Sequence, residues 1–175
     1  KIDFLKSKLN SKKNIINKFQ FKNKENKEVW STFNLLSKEP SECLGAYVIS
    51  MTSSASDILS VSFLQKEAKI KNKLRVVPLF ETLDDLINAK SIMENLFSHK
   101  WYRNLIKHKQ EVMIGYSDSS KDAGKMCASW HQYKAQEEIV KLGNKYKIDI
   151  TFFHGRGGSA GRGGGPIQAT LRSLP

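Results

Sequence analysis

The sequence predicts an α/β protein assembled from consecutive β-α units. Three observations carry that prediction. Four short runs rich in β-branched and aromatic residues recur at 46–51 (AYVISM), 75–80 (RVVPLF), 111–116 (EVMIGY) and 148–153 (IDITFF), and such residues at such lengths favour strands. The runs start 29, 36 and 37 residues apart with helix-patterned sequence in each gap, the spacing of parallel strands joined by helical crossovers. Polar groups stand at equivalent places behind the last three runs: Glu81, then Ser117-Asp118, then His154-Gly155-Arg156. Either a (β/α)8 barrel or a doubly wound sheet accommodates this arrangement, since both place chemistry at the C-terminal ends of parallel strands. Four units make half of such a barrel. The expected division is a helical, polar lead-in over residues 1–40 and the β-α core over 41–175.

Taken in order, residues 1–27 place short apolar pairs among Lys and Asn, which predicts a brief helix and a polar connection. Residues 28–36 (EVWSTFNLL) read as a helix ended before Lys38-Glu39-Pro40, because proline biases its predecessor away from helix. Ser56 is placed to cap a helix beginning at Asp57. Thr82 is placed to cap one over 83–97, with Asp85 completing a capping box. Pro78 cannot donate to a ladder, so a local irregularity is expected in the second strand. Residues 125–142 form a long amphipathic helix, and Gly143 stands where a helix C-terminus favours a left-handed residue.

With 175 residues, 39% of them hydrophobic, the chain supports one domain-sized core. Cys43 and Cys127 match no metal or redox spacing and read as reduced thiols, buried or neutral, in a cytoplasmic protein. No apolar run approaches the roughly 20 residues of a membrane span, and the start has no signal-peptide core. No membrane partner is expected. The net charge of +12 invites a polyanion partner. Nine of the lysines, however, lie in the first thirty residues and are spaced by Asn rather than by stacking aromatics. That pattern describes a solvated surface and not a nucleic-acid arm. The chain begins at Lys1 and stops soon after a glycine-rich stretch, so both ends read as cuts.

Three groups of residues can carry chemistry. Glu81 and Asp118 are carboxylates one β-α unit apart. A hard divalent cation commonly takes one or two protein carboxylates and fills its remaining positions with water and substrate oxygens. Lys121 lies three residues after Asp118 in GYSDSSKDAG, a small-residue turn opening a helix, where amide dipoles and an ammonium would both face a phosphate. The run HGRGGSAGRGGGP, residues 154–166, holds seven glycines with Arg156 and Arg162. Glycine admits close backbone approach to an anion, the arginines form forked bonds to phosphate or carboxylate, and such a loop can close over a substrate. His99, His108 and His131 suggest surface or packing roles.

These segments together resemble the phosphoenolpyruvate carboxylase family, and its bacterial branch in particular. VMIGYSDSSKDAG (112–124) is similar to the family's lysine-containing active-site signature and FHGRGGSAGRGGGP (153–166) to its glycine loop. VPLFETLDDL (77–86) and AYVISMTSSASDIL (46–59) resemble its intervening segments, in the family's order. The likeness weakens before about Ser41, and MTSSASD lacks a proline often found before its Ser-Asp pair.

The resemblance implies an internal catalytic-core piece of a (β/α)8 barrel with extra helices, within a longer cytoplasmic homotetramer that joins bicarbonate to phosphoenolpyruvate and forms oxaloacetate and phosphate. It implies Mg²⁺ or Mn²⁺ on Glu81 and Asp118, catalytic roles for Lys121, His154 and Arg162, and substrate binding by Arg156, Arg162 and Lys121. Carboxyphosphate and a metal-bound enolate of pyruvate are the implied intermediates, and aspartate or malate the implied inhibitors. The family's other histidine segment, further arginines and inhibitor-binding parts are absent here, so the chain alone is expected to be inactive. Two other readings compete with this one. The first is an RNA-binding piece using the lysine-rich start and the RGG-like loop. The second is a remnant that folds poorly because half a barrel exposes strand edges.

Overall fold

The computed structural model describes residues 1–11, 13–16, 21–155 and 166–172. They fall into two compact units, Lys1–Tyr47 with Ser54–Val76 and Val48–Ser53 with Val77–Pro175. In chain order the elements are α1 (Ile2–Asn10), α2 (Lys24–Leu36), a 3-10 turn (Ser41–Cys43), β1 (Ala46–Ile49), α3 (Ala55–Glu67), β2 (Arg75–Phe80), α4 (Leu83–Ser98), α5 (Lys100–Leu105), β3 (Lys109–Gly115), α6 (Ser117–Ala123), α7 (Lys125–Tyr146), β4 (Asp149–Gly155) and α8 (Ile167–Arg172). The strand order is β1-β2-β3-β4, and β2, β3 and β4 run parallel. Each strand lies beside its sequence neighbour. That is the order within a (β/α)8 barrel, whereas a doubly wound sheet reverses at a switch point.

In the first unit α1 and α2 pack on α3. Asn23 caps α2 by accepting from the Glu25 amide at 2.7 Å, so this helix starts four residues earlier than its apolar pattern alone indicates. Phe33 is buried and stacks on Tyr47 with ring centroids 5.1 Å apart. Helix α3 begins at Ala55 behind Ser54, not at Asp57 behind Ser56. Asp57 accepts from the Ser54 amide at 2.8 Å, which pulls the cap two residues upstream. At the other end of α3 the fully buried Glu67 carboxylate takes the amides of Ile15 and Ile16 at 2.5 and 2.9 Å, with Lys66 at 3.6 Å. Gln65 both donates to and accepts from the backbone of Leu74, completing a strand-like pair with its side chain.

In the second unit the core rests on α4 and α7, which pack on each other, with α7 also against β4. Leu86, Ala89, Met93 and Leu96 line one face of α4, and Ala128, Gln132, Ala135, Ile139 and Leu142 line α7 at alternating spacings of four and three. Phe80, Val112 and Ile114 are buried on one face of β2 and β3, and Val77 is buried as well. Each large side chain so buried contributes about 1.5–3 kcal/mol. Thr82 caps α4 through the expected box, accepting from the Asp85 amide at 3.1 Å while Asp85 accepts from the Thr82 amide at 3.1 Å. Between the two helices Lys145 meets Glu94 at 2.7 Å and Lys90 meets Glu138, exposed pairs of modest weight.

Strand β2 spans Pro78, and its ladder with β3 pairs Leu79 with Met113 and Phe80 with Ile114, just beyond the residue that lacks an N–H. Other expectations need correction. Helix α7 continues past Leu142 to Tyr146, and the left-handed residue is Lys147. Gly143 lies inside the helix because β4 crosses close to it: a Cβ there would stand 2.7 Å from Ile150 Cγ1 and 2.9 Å from the carbonyl of Ile148. Both cysteines are free, as expected, and exposed rather than buried. No described helix is long and apolar enough to cross a membrane.

The starts of β3 and β4 are tied together by a turn. Lys107 and His108 both adopt positive φ, and the His108 carbonyl accepts from the Asp149 amide at 2.8 Å while its Nδ1–H donates to the Lys147 carbonyl at 2.8 Å. Next to it the buried Tyr102 hydroxyl donates to Gln110 Oε1 at 2.7 Å, and burial pushes that phenol far above its ordinary range.

Replacing Gly143 by alanine removes a helix-weakening glycine yet forces a methyl onto a backbone carbonyl that cannot yield. The expected net effect is a loss of about 1–3 kcal/mol in denaturant unfolding. A gain in stability would contradict the packing.

Candidate active site

The parallel register aligns the strand ends. Phe80 pairs with Ile114 and Ile114 with His154, and one residue on, Gly115 pairs with Gly155. Glu81 follows Phe80 directly, so it comes alongside Gly115. The approach is so close that a Cβ on Gly115 would stand 2.5 Å from Glu81 Cβ and 2.8 Å from its Cα. Glycine is therefore what lets β2 deliver Glu81 to the end of β3. The Glu81 amide lies 3.3 Å from Asp85 Oδ2, which also holds the start of α4.

After Gly115 the chain passes through Tyr116 into α6, which carries Asp118 and Lys121. The sequence suggests one helix opened by this turn. Instead α6 is a separate seven-residue helix, ended at Gly124 before α7 begins. Lys121 Nζ donates to Asp118 Oδ1 at 2.9 Å across one helical turn. That bond holds the Asp118 carboxyl below its ordinary range. Glu81 shifts the other way: desolvation first, then the nearby charges of Asp118 and Asp85, push it up, against a lowering by Lys121. The two carboxylates thus feel each other's charge, with one ammonium beside them.

Two side chains not singled out from the sequence shape the place. Gln132 of α7 is buried, and its Nε2 donates to the Gly115 carbonyl at 3.0 Å and to Ser119 Oγ at 3.1 Å. It ties the end of β3 to the first turn of α6. Its only sequence signal is a polar residue on the apolar stripe of a helix. Tyr116 Oη lies 2.6 Å from His154 Nδ1, joining the end of β3 to the end of β4. His154 itself belongs to β4 rather than to the segment beyond it. Arg156 and Arg162, with the rest of 156–165, lie outside the described residues.

The sequence model of the family described as "Phosphoenolpyruvate carboxylase" matches residues 1–175. The chain belongs to the phosphoenolpyruvate carboxylase family. It is 56% identical over 154 residues to "Phosphoenolpyruvate carboxylase 3" of Arabidopsis thaliana, covering 88% of this chain and 16% of that protein. It is 51% identical to "Phosphoenolpyruvate carboxylase" of Flaveria pringlei and 49% to "Phosphoenolpyruvate carboxylase 1" of Sorghum bicolor, each across 99% of this chain and 18% of the relative. The chain thus spans under a fifth of the length of the curated relatives it matches. These are plant proteins, so they carry the family and not the bacterial branch that the motifs suggest.

Within this family member, Glu81 and Asp118 offer hard oxygen donors that repel each other, a set suited to a divalent cation completed by water and substrate oxygens. Among the described residues no group of three or more His, Cys, Asp or Glu is placed to hold a metal ion.

Substituting Gln132 by leucine leaves the Gly115 carbonyl and the Ser119 hydroxyl without their buried donor. The expected cost is about 1–3 kcal/mol, with amide exchange accelerating across residues 116–121. Unchanged exchange there would show that Gln132 does not hold the junction.

Proposed function

We propose that the polypeptide carrying this chain carboxylates phosphoenolpyruvate with bicarbonate, yielding oxaloacetate and phosphate. What supports the reading is the placing of Glu81 beside Gly115 at the end of β3, just ahead of the helix that carries the Asp118–Lys121 pair, in a chain of this family. The phosphoryl group passes from phosphoenolpyruvate to a bicarbonate oxygen, leaving carboxyphosphate and the enolate of pyruvate. Carbon dioxide released from carboxyphosphate then bonds to the enolate's terminal carbon.

Glu81 and Asp118 would hold Mg²⁺ or Mn²⁺, which when bound supplies positive charge opposite developing enolate and phosphoryl oxygens. Lys121 sits on a flexible stem with its side chain 73% exposed, and it can exchange its bond to Asp118 for a phosphoryl oxygen. His154 stands one strand away, where it can meet the substrate's anionic groups. Arg156 and Arg162 are assigned to phosphate and carboxylate binding on their sequence alone. A cytoplasmic homotetramer restrained by aspartate or malate completes the proposal.

Oxaloacetate formation, coupled to malate dehydrogenase, tests it in the full polypeptide that contains this chain. The parent should need a divalent cation, and Lys121→Ala should lower kcat/KM roughly 10²–10³-fold. A folded parent that makes no oxaloacetate would refute the assignment.

The cation site also has a pH signature. Binding needs Glu81 as carboxylate, and its pKa is raised, so protons compete at higher pH than they would at an ordinary glutamate. The cation concentration for half-maximal activity should therefore rise as pH falls, and should begin to do so at a higher pH than at an ordinary glutamate. In Glu81→Gln this dependence should flatten while the cation requirement increases.

A further inference from the structure

The bond between Tyr116 Oη and His154 Nδ1, 2.6 Å long, joins the ends of two neighbouring strands. Its direction follows from acidity. A phenol, with pKa about 10, is a far better proton donor than a neutral imidazole N–H, and an sp² imidazole nitrogen is a better acceptor than a phenol oxygen. The favoured arrangement therefore has the tyrosine donating. Once Nδ1 accepts, the ring proton of neutral His154 must sit on Nε2. Whatever Nε2 meets, it meets as a donor.

The placement is not left to one contact. Tyr116 is gripped from both sides: Gly115 before it is held by Gln132, and its own carbonyl accepts from Ser120 Oγ at 2.8 Å within α6. His154 is held by the β3-β4 ladder, opposite Ile114. The two rings are tilted by 49° with centroids 6.0 Å apart, so the hydroxyl reaches the edge of the imidazole and does not stack on its face.

From this geometry we infer that Tyr116 is a positioning residue: it fixes the tautomer and orientation of His154, so that the histidine presents Nε2–H to an anionic group of the substrate. The inference rests on the carboxylase reading and adds a role that the motif's Lys121 and Asp118 do not supply.

The test is a cycle of variants in the full carboxylase polypeptide containing this chain, with kcat and KM for phosphoenolpyruvate measured at saturating bicarbonate and cation. Tyr116→Phe, which removes only the hydroxyl, should raise KM roughly tenfold, the size of one lost hydrogen bond to a charged group, with kcat changed far less. Added to His154→Asn, it should change nothing further, because its effect passes through the ring. Effects that multiply in the double variant, as two independent structural losses would, overturn the inference. A second comparison avoids any change at position 116. His154→Gln places an amide nitrogen near the site of Nε2, and His154→Asn places one near Nδ1, so glutamine should bind phosphoenolpyruvate better. Equal or better binding by asparagine also overturns the inference. A folded but inactive parent removes both readings, whereas an active parent with multiplying effects removes only this one.

Discussion

The end of β3 lies against the end of β2 with no room for even a methyl group between them. Gly115 takes up that space, and through it Glu81 of one strand comes beside the segment that carries Asp118 and Lys121 on the next. Much else in the second unit serves this approach. The ladder sets Phe80, Ile114 and His154 in one row, Asp85 holds the Glu81 backbone from the far side, and Gln132 grips the Gly115 carbonyl from α7. A change that widens the strand spacing would act on all of these groups at once, since none of them reaches the site independently of the sheet.

The electrostatics of the site follow from the same crowding. Two carboxylates and one ammonium share a small volume, so the pairing of any two alters the third. In the present arrangement Lys121 satisfies Asp118 and leaves Glu81 the less comfortable partner, raised by desolvation and by its neighbours' charge.

How far the sequence disclosed this structure depends on the range of the interaction involved. The strands were legible because β-branched runs recur at crossover spacing, and Thr82 because a capping box is wholly local. Ser54 is equally local, since Asp57 stands three residues after it at the spacing of a capping box. The end of α7 is not legible in this way, because a glycine near a helix terminus suggests a left-handed turn, whereas Gly143 answers to Ile150 on a strand that comes later. Glu81, Asp118 and Lys121 are candidates that position and spacing along the sequence pick out. Gln132 and the link between Tyr116 and His154 are not, because both are contacts between elements that only folding brings together. The glycine-rich run was conspicuous in sequence, and its arginines rest on sequence still.

The turn at Lys107 and His108 has a bearing on how β3 and β4 are held together. With two left-handed residues in succession, a carbonyl holding the Asp149 amide and a ring nitrogen holding Lys147, the N-terminal ends of β3 and β4 are fastened by groups from a single residue. At their C-terminal ends the same strands stay paired through Gly115 and Gly155, with the bond between Tyr116 and His154 just beyond. The β3-β4 pair is thus fastened at both ends, by the backbone and ring of one residue where the strands begin and by a bond between two side chains where they finish.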